Sequence, residues 1–197
     1  MTKSTNILKG LFLLARGRSA GIAEFGNHVN AMTASLAPLI AFPLVGSMLL
    51  LVKGDVQTAL TSFTAQLCVA LAPAVITYEF ARLWQRQATW LRTVTALNWS
   101  FWLAVPLLLL GGFAGAGLVT AGFSEGAAGM IMIAVLGSYI MWFHWFTVRN
   151  GLQIGGWQAL GLVLVTNITI AVLALGPDVI DLAMRGQLQT IFSQGLS

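Results

Sequence analysis

The residues that invite a chemical reading are few. His28 and His144, with Glu24 and Glu79 at similar predicted depth, are of the types that ligate a metal ion, and two histidines can hold a haem iron. Neither histidine belongs to an HxxxH or ExxH pair, and haem pairs face one another across a membrane interior rather than in a headgroup layer. The competing assignment is two interfacial histidines hydrogen-bonded to headgroups or loop carbonyls. A second group is Arg82, Arg86 and Arg92 interleaved with Trp84 and Trp90. Guanidinium groups pair bidentately with phosphate, so this patch suits anionic lipid headgroups. The alternative is a basic loop that fixes topology and does nothing else.

A third group is polar and uncharged. Gln66, Asn167 with Thr166, and Ser35 fall inside apolar runs, where they either fasten helices to one another or face a substrate path. Fastening is the simpler role, at about 1 kcal/mol per hydrogen bond. No Asp, Glu, Lys or Arg falls at a predicted membrane midplane, which argues against a proton-coupled pump or a charged channel ring. Nucleophilic triads, phosphate-cradling glycine loops and paired intramembrane carboxylates are also lacking, so no catalytic residue, enzymatic activity or cofactor is expected. Cys68, the only cysteine, lies in an apolar run and reads as a small packing residue.

The elements that must position these residues follow from composition. Soluble domains carry roughly 25% charged residues. This 197-residue chain has 8% charged and 57% hydrophobic residues, so its main solvent is the bilayer. Five segments are long and apolar enough to span it, at 31–52, 56–80, 99–122, 127–148 and 157–176. Each must be helical, because every backbone polar group has to be satisfied within the segment. The expected fold is an all-α membrane protein, a five-helix transmembrane bundle in one domain with interfacial amphipathic helices at both termini. The first of these covers 6–18; the second covers 177–192 on the outer surface, after a break at Gly176-Pro177 that ends the fifth span. The stretch 81–98 is the longest loop candidate, and much of it fits helical extensions of the second and third spans.

Orientation follows from charge. Eight of the ten Lys and Arg residues fall on the side of the N-terminus, leaving Lys53 and Arg185 opposite. The positive-inside rule therefore puts the N-terminus in the cytoplasm and the C-terminus outside. All seven tryptophans fall near the same boundary, as expected for rings that favour the headgroup layer. Residues 11–15 are too short an apolar run for a signal peptide. Pro38, Pro43, Pro73 and Pro106 predict kinks within the spans, and Gly111 and Gly115 form a GxxxG pair suited to close helix packing. There is no internal repeat of the kind that builds broken-helix transport sites.

The strings ARLWQR at 81–86, TALNW at 95–99 and WFTVRNGL at 145–152 resemble small inner-membrane proteins of alphaproteobacteria, which are similar in outline to five-span Yip1-type proteins. The resemblance implies a five-helix bundle in a bacterial inner membrane and a role in membrane organisation with protein partners. It carries no catalytic residues to transfer. The expected function is a non-enzymatic membrane-organising protein that binds lipid or protein. The alternatives are a small transporter or accessory subunit of a larger membrane complex, with Gln66 and Asn167 facing a shared cavity, and a haem or quinone protein using His28 and His144. Expected partners are the bilayer, anionic headgroups, and membrane-protein partners or further copies of the chain; nucleic acid is excluded because topology accounts for the basic charge.

Overall fold

A computed structural model describes the chain over residues 6–52, 54 and 56–194, with side chains as far as 176. It is all helical, with five helical stretches long and apolar enough to cross a membrane. Helix α1, Ile7–Ala15, starts at Asn6, whose Oδ1 accepts from the Lys9 backbone N–H at 3.0 Å. It ends in a Schellman turn: Gly17 takes a left-handed φ of 71°, and the N–H groups of Gly17 and Arg18 reach the carbonyls of Leu14 and Leu13. A 3-10 turn, Ser19–Glu24, returns the chain across α1. The crossing is close, because a Cβ on Gly21 would sit 2.6 Å from the Gly10 carbonyl oxygen.

The spans follow: α2 Val29–Val52, α3 Val56–Leu83, α4 Gln87–Trp99 continuing through a 3-10 turn Ser100–Leu103 into α5 Ala104–Thr120, α6 Glu125–Leu152, and α7 Gly156–Gln194. The bundle is ordered α2, α3, α7, α6, α5, and α4 wedges between α2, α3 and α6 at one end. That end also holds α1 and is called the arginine-rich end. The 3-10 segment has a local cause. Pro106 has no N–H to offer the Trp102 carbonyl, and its ring crowds that carbonyl, so the helix tightens one turn earlier.

The region 81–98 is almost wholly helix, as expected, apart from a tight reversal between α3 and α4. In it Gln85 takes a left-handed φ of 57° and the Arg86 N–H bonds the Ala81 carbonyl at 2.7 Å. One expected boundary differs. Helix α7 runs without interruption through Gly176 and Pro177. A proline costs one helical hydrogen bond, and the bonds on either side keep the helix continuous. Docking of residues 177–192 on the outer surface falls outside the described side chains.

Two buried clusters stabilise the arginine-rich end. One joins Leu11, Leu14, Ile22 and Phe25 to Ala96 and Phe143; the other joins Ala81 to Val148, Leu152, Ala159 and Leu162. Helix α1 is therefore docked on protein along Leu11 and Leu14, while Leu8 and Phe12 point outward. The Tyr139 hydroxyl donates to the Ala15 carbonyl at 2.8 Å and ties this helix to α6. Away from these clusters the apolar side chains turn outward, as Leu108, Leu109 and Phe113 do on α5, which is the inverted surface a bilayer requires. The glycine pair packs as expected: Gly111 and Gly115 lie against Leu136 and Met132 of α6.

Candidate functional site

Polar and small residues on α3 recur in two adjacent four-residue rows, 57-61-65-69-73-77 and 58-62-66-70, which share one helix face. That face lines a cavity of about 1060 Å³ bounded also by α2, the α4–α5 junction, α6 and α7. From residue 57 to residue 77 the α3 wall is 21 residues long, about 30 Å at the helical rise, comparable with the hydrocarbon thickness. Helix α7 contributes Val163, Thr166, Asn167, Ile170 and Ala174, again at helical spacing. Gln66 and Asn167, singled out from sequence, thus line the same cavity.

The cavity is closed toward the arginine-rich end by α4. The Trp90 indole N–H donates to Thr77 Oγ1 at 3.2 Å, and buried Asn98 donates from Nδ2 to Ser35 Oγ at 2.9 Å, joining α4 to α3 and α2. The Ser35 hydroxyl donates to the Met32 carbonyl at 2.6 Å, so it can only accept from Asn98. His144 lines the same end, half-buried, with Nε2 3.4 Å from Ser100 Oγ. Since the Ser100 proton is directed to the Leu97 carbonyl, the imidazole is the donor in that contact and Nδ1 is left as an acceptor. Phe42 and Phe101, with centroids 5.3 Å apart, form an aromatic wall. Among the described lining residues there is no Asp, Glu, Lys or Arg.

His28 is elsewhere. It is exposed and caps α2, its Nδ1 accepting from the Ala31 N–H at 3.1 Å, whereas His144 faces the cavity. Among the described residues no three His, Cys, Asp or Glu side chains converge as a metal site. In the arginine and tryptophan patch, Arg82 is exposed and paired with Glu79 at 3.0 Å, and exposed Arg86 precedes α4. Arg92 is half-buried, and its backbone N–H bonds Asn27 Oδ1 at 3.1 Å. Trp84 and Trp90 pack inward against the second cluster. The guanidinium groups therefore lie at the rim and the two indoles belong to the bundle.

Thr61, Ser62, Thr77, Asn98 and Ser100 line the cavity and were not singled out from sequence. The four-residue recurrence on α3 was the available signal. Asn98 carried none, because it sits just ahead of an apolar run and its partner Ser35 is 63 residues away. Comparison with protein-family models, with curated proteins and with solved structures gives no match to this chain.

Proposed function

We propose that this protein is a small membrane carrier that admits an uncharged, membrane-soluble molecule into the cavity between α2, α3, α6 and α7 and releases it past α4. One observation carries the reading: Gln66 and Asn167, from helices distant in sequence, line one cavity of a size that holds a ligand. Polar groups placed in hydrocarbon cost free energy unless they serve a cavity or a partner, and these two reach a cavity. The role is binding and passage, with no bond-making step. The arginine-rich end is assigned to the cytoplasmic face of a bacterial inner membrane, supported by eight of ten basic residues on that side, and its rim arginines contact anionic headgroups.

A second reading is a membrane-organising role like that of five-span Yip1-type proteins. It is favoured by α1, which offers Leu8 and Phe12 outward, with the Arg16 guanidinium 4.9 Å over the Phe12 ring.

The carrier reading is tested by cysteine accessibility. Cys68 is exposed and is first replaced by serine. Single cysteines are then placed at 66, 69 and 167 in the cavity and at Leu60 and Leu108, which are exposed on apolar helix surfaces. In proteoliposomes a small, uncharged, water-soluble thiol reagent is expected to label the cavity set and spare the outer set. Equal labelling of both sets, or none in the cavity set, refutes the carrier.

A further inference from the structure

The hydrogen-bond directions in the cavity wall select a class of ligand. Thr61, Thr77 and Thr166 donate their hydroxyl protons back to the carbonyls four residues earlier, at 2.9, 2.6 and 2.8 Å. Ser100 likewise donates to the carbonyl of Leu97, three residues earlier. Asn167 spends its amide N–H groups on the Val163 carbonyl at 2.8 Å and on Met141 Sδ at 3.8 Å, leaving Oδ1 for the cavity. Gln66 donates one of its two Nε2 N–H groups to Ser62 Oγ at 2.8 Å, leaving Oε1 and the second N–H. The wall therefore offers the cavity mainly oxygen acceptors, and its donors are largely turned back into the helices.

Such a wall complements a ligand that brings its own donors. A carboxylate or phosphate meets few donors and no cation, and a cation meets no counter-charge among the described lining residues, so burying either leaves a charge uncompensated. The remaining lining is aliphatic and aromatic, including Leu39, Phe42, Val69 and Ile170, which suits an acyl or prenyl chain. The geometry points to a neutral amphiphile with a hydroxylated head, of the monoacylglycerol or long-chain alcohol class, as the molecule held between Gln66 and Asn167. This assignment rests on the carrier reading and deepens it.

The test is binding by native mass spectrometry of the full chain released from detergent, with 1-monooleoylglycerol as the probe. Its dimethyl ether keeps the shape and loses both donors; oleate, oleylammonium and free glycerol complete the set. Loss of two donors at about 1 kcal/mol each predicts about thirty-fold weaker binding of the ether. Oleate and oleylammonium are expected to bind more weakly still, and glycerol alone not to displace the probe. Asn167→Leu, and separately Gln66→Met on an exposed site that leaves the fold intact, are each expected to shrink the preference over the ether about five-fold. Equal binding of probe and ether, preference for either ion, displacement by glycerol, or no binding of the probe overturns the ligand class. If an overturning result comes with cavity-selective thiol labelling, the carrier survives without this ligand; if labelling fails as well, both fall.

Discussion

Replacing Gly151 by alanine probes the contact that sets where α4 lies, and hence what closes the cavity. An added Cβ would lie 2.5 Å from Thr93 Oγ1, 2.7 Å from Thr93 Cγ2 and 3.0 Å from Thr93 Cβ. Ordinary carbon contacts are about 3.5–4.0 Å. Thr93 has little freedom to yield: it is fully buried, β-branched, and its hydroxyl donates to the Thr89 carbonyl at 2.9 Å. Helix α4 must then recede from α6 by about 1 Å, and overpacking of this kind costs about 1–3 kcal/mol. Alanine recovers up to about 1 kcal/mol in a helix interior, and less here, one residue before the end of α6.

The net loss is about 1–2 kcal/mol, or roughly 2–8 °C in apparent Tm for a chain of this size. Tryptophan fluorescence during heating in detergent measures it. Thr93→Ala in the same chain removes the two nearest atoms and is expected to recover about half the loss, which separates a specific clash from general misfolding. Gly111→Ala is the control. Its Cβ would come nearly as close, 2.7 Å, to Leu136 Cδ1, the free end of a half-buried side chain that can rotate away, so its Tm should stay within about 2 °C. An unchanged Gly151→Ala Tm, an equal loss with Thr93→Ala present, or an equal loss for Gly111→Ala refutes the reasoning.

Three further outcomes follow from single contacts. Ser35→Ala leaves the buried Asn98 amide without its acceptor and is expected to lower stability by about 1 kcal/mol, while Asn98→Leu with Ser35→Ala costs less than the two separate losses combined, as a double-mutant thermal cycle would read. Gln85→Gly and Gln153→Gly, at left-handed φ of 57° and 55°, each relieve about 1 kcal/mol of backbone strain, so each should raise the apparent Tm by about 2–4 °C. Lys9→Met removes the 3.0 Å ion pair with Glu24, whose side chain is buried beneath α1, and at about 1 kcal/mol should speed tryptic cleavage after Arg16 and Arg18 about five-fold. Unchanged cleavage would mean that the apolar contacts of Leu11 and Leu14 alone hold α1 in place.

Much of the frame was legible because the bilayer imposes one rule on every span. Apolar runs of about 20 residues have to be helices, and the short links at Gly54 and at Phe123-Ser124 make consecutive spans antiparallel. The glycine contacts of α5 were legible too, since small residues at four-residue spacing admit a neighbour. The Gly176-Pro177 boundary misled because a proline favours a helix end without enforcing one, and the surrounding helical bonds outweighed it.

The sequence by itself determined the class of protein and the five helices long and apolar enough to span, because these depend on local hydropathy and chain connectivity. It could not tell which way a side chain at a given depth turns. Seven tryptophans share a predicted boundary, yet Trp84, Trp90, Trp99 and Trp145 are half-buried in the bundle while Trp102, Trp142 and Trp157 are exposed. The same holds for the polar residues. Only the packing of α4 against α2, α3 and α6 brings Asn98 to Ser35 and so makes it a fastener between helices as well as part of the cavity that Gln66 and Asn167 line. Helix rotation is fixed by contacts between segments far apart in the chain, and no local pattern encodes it.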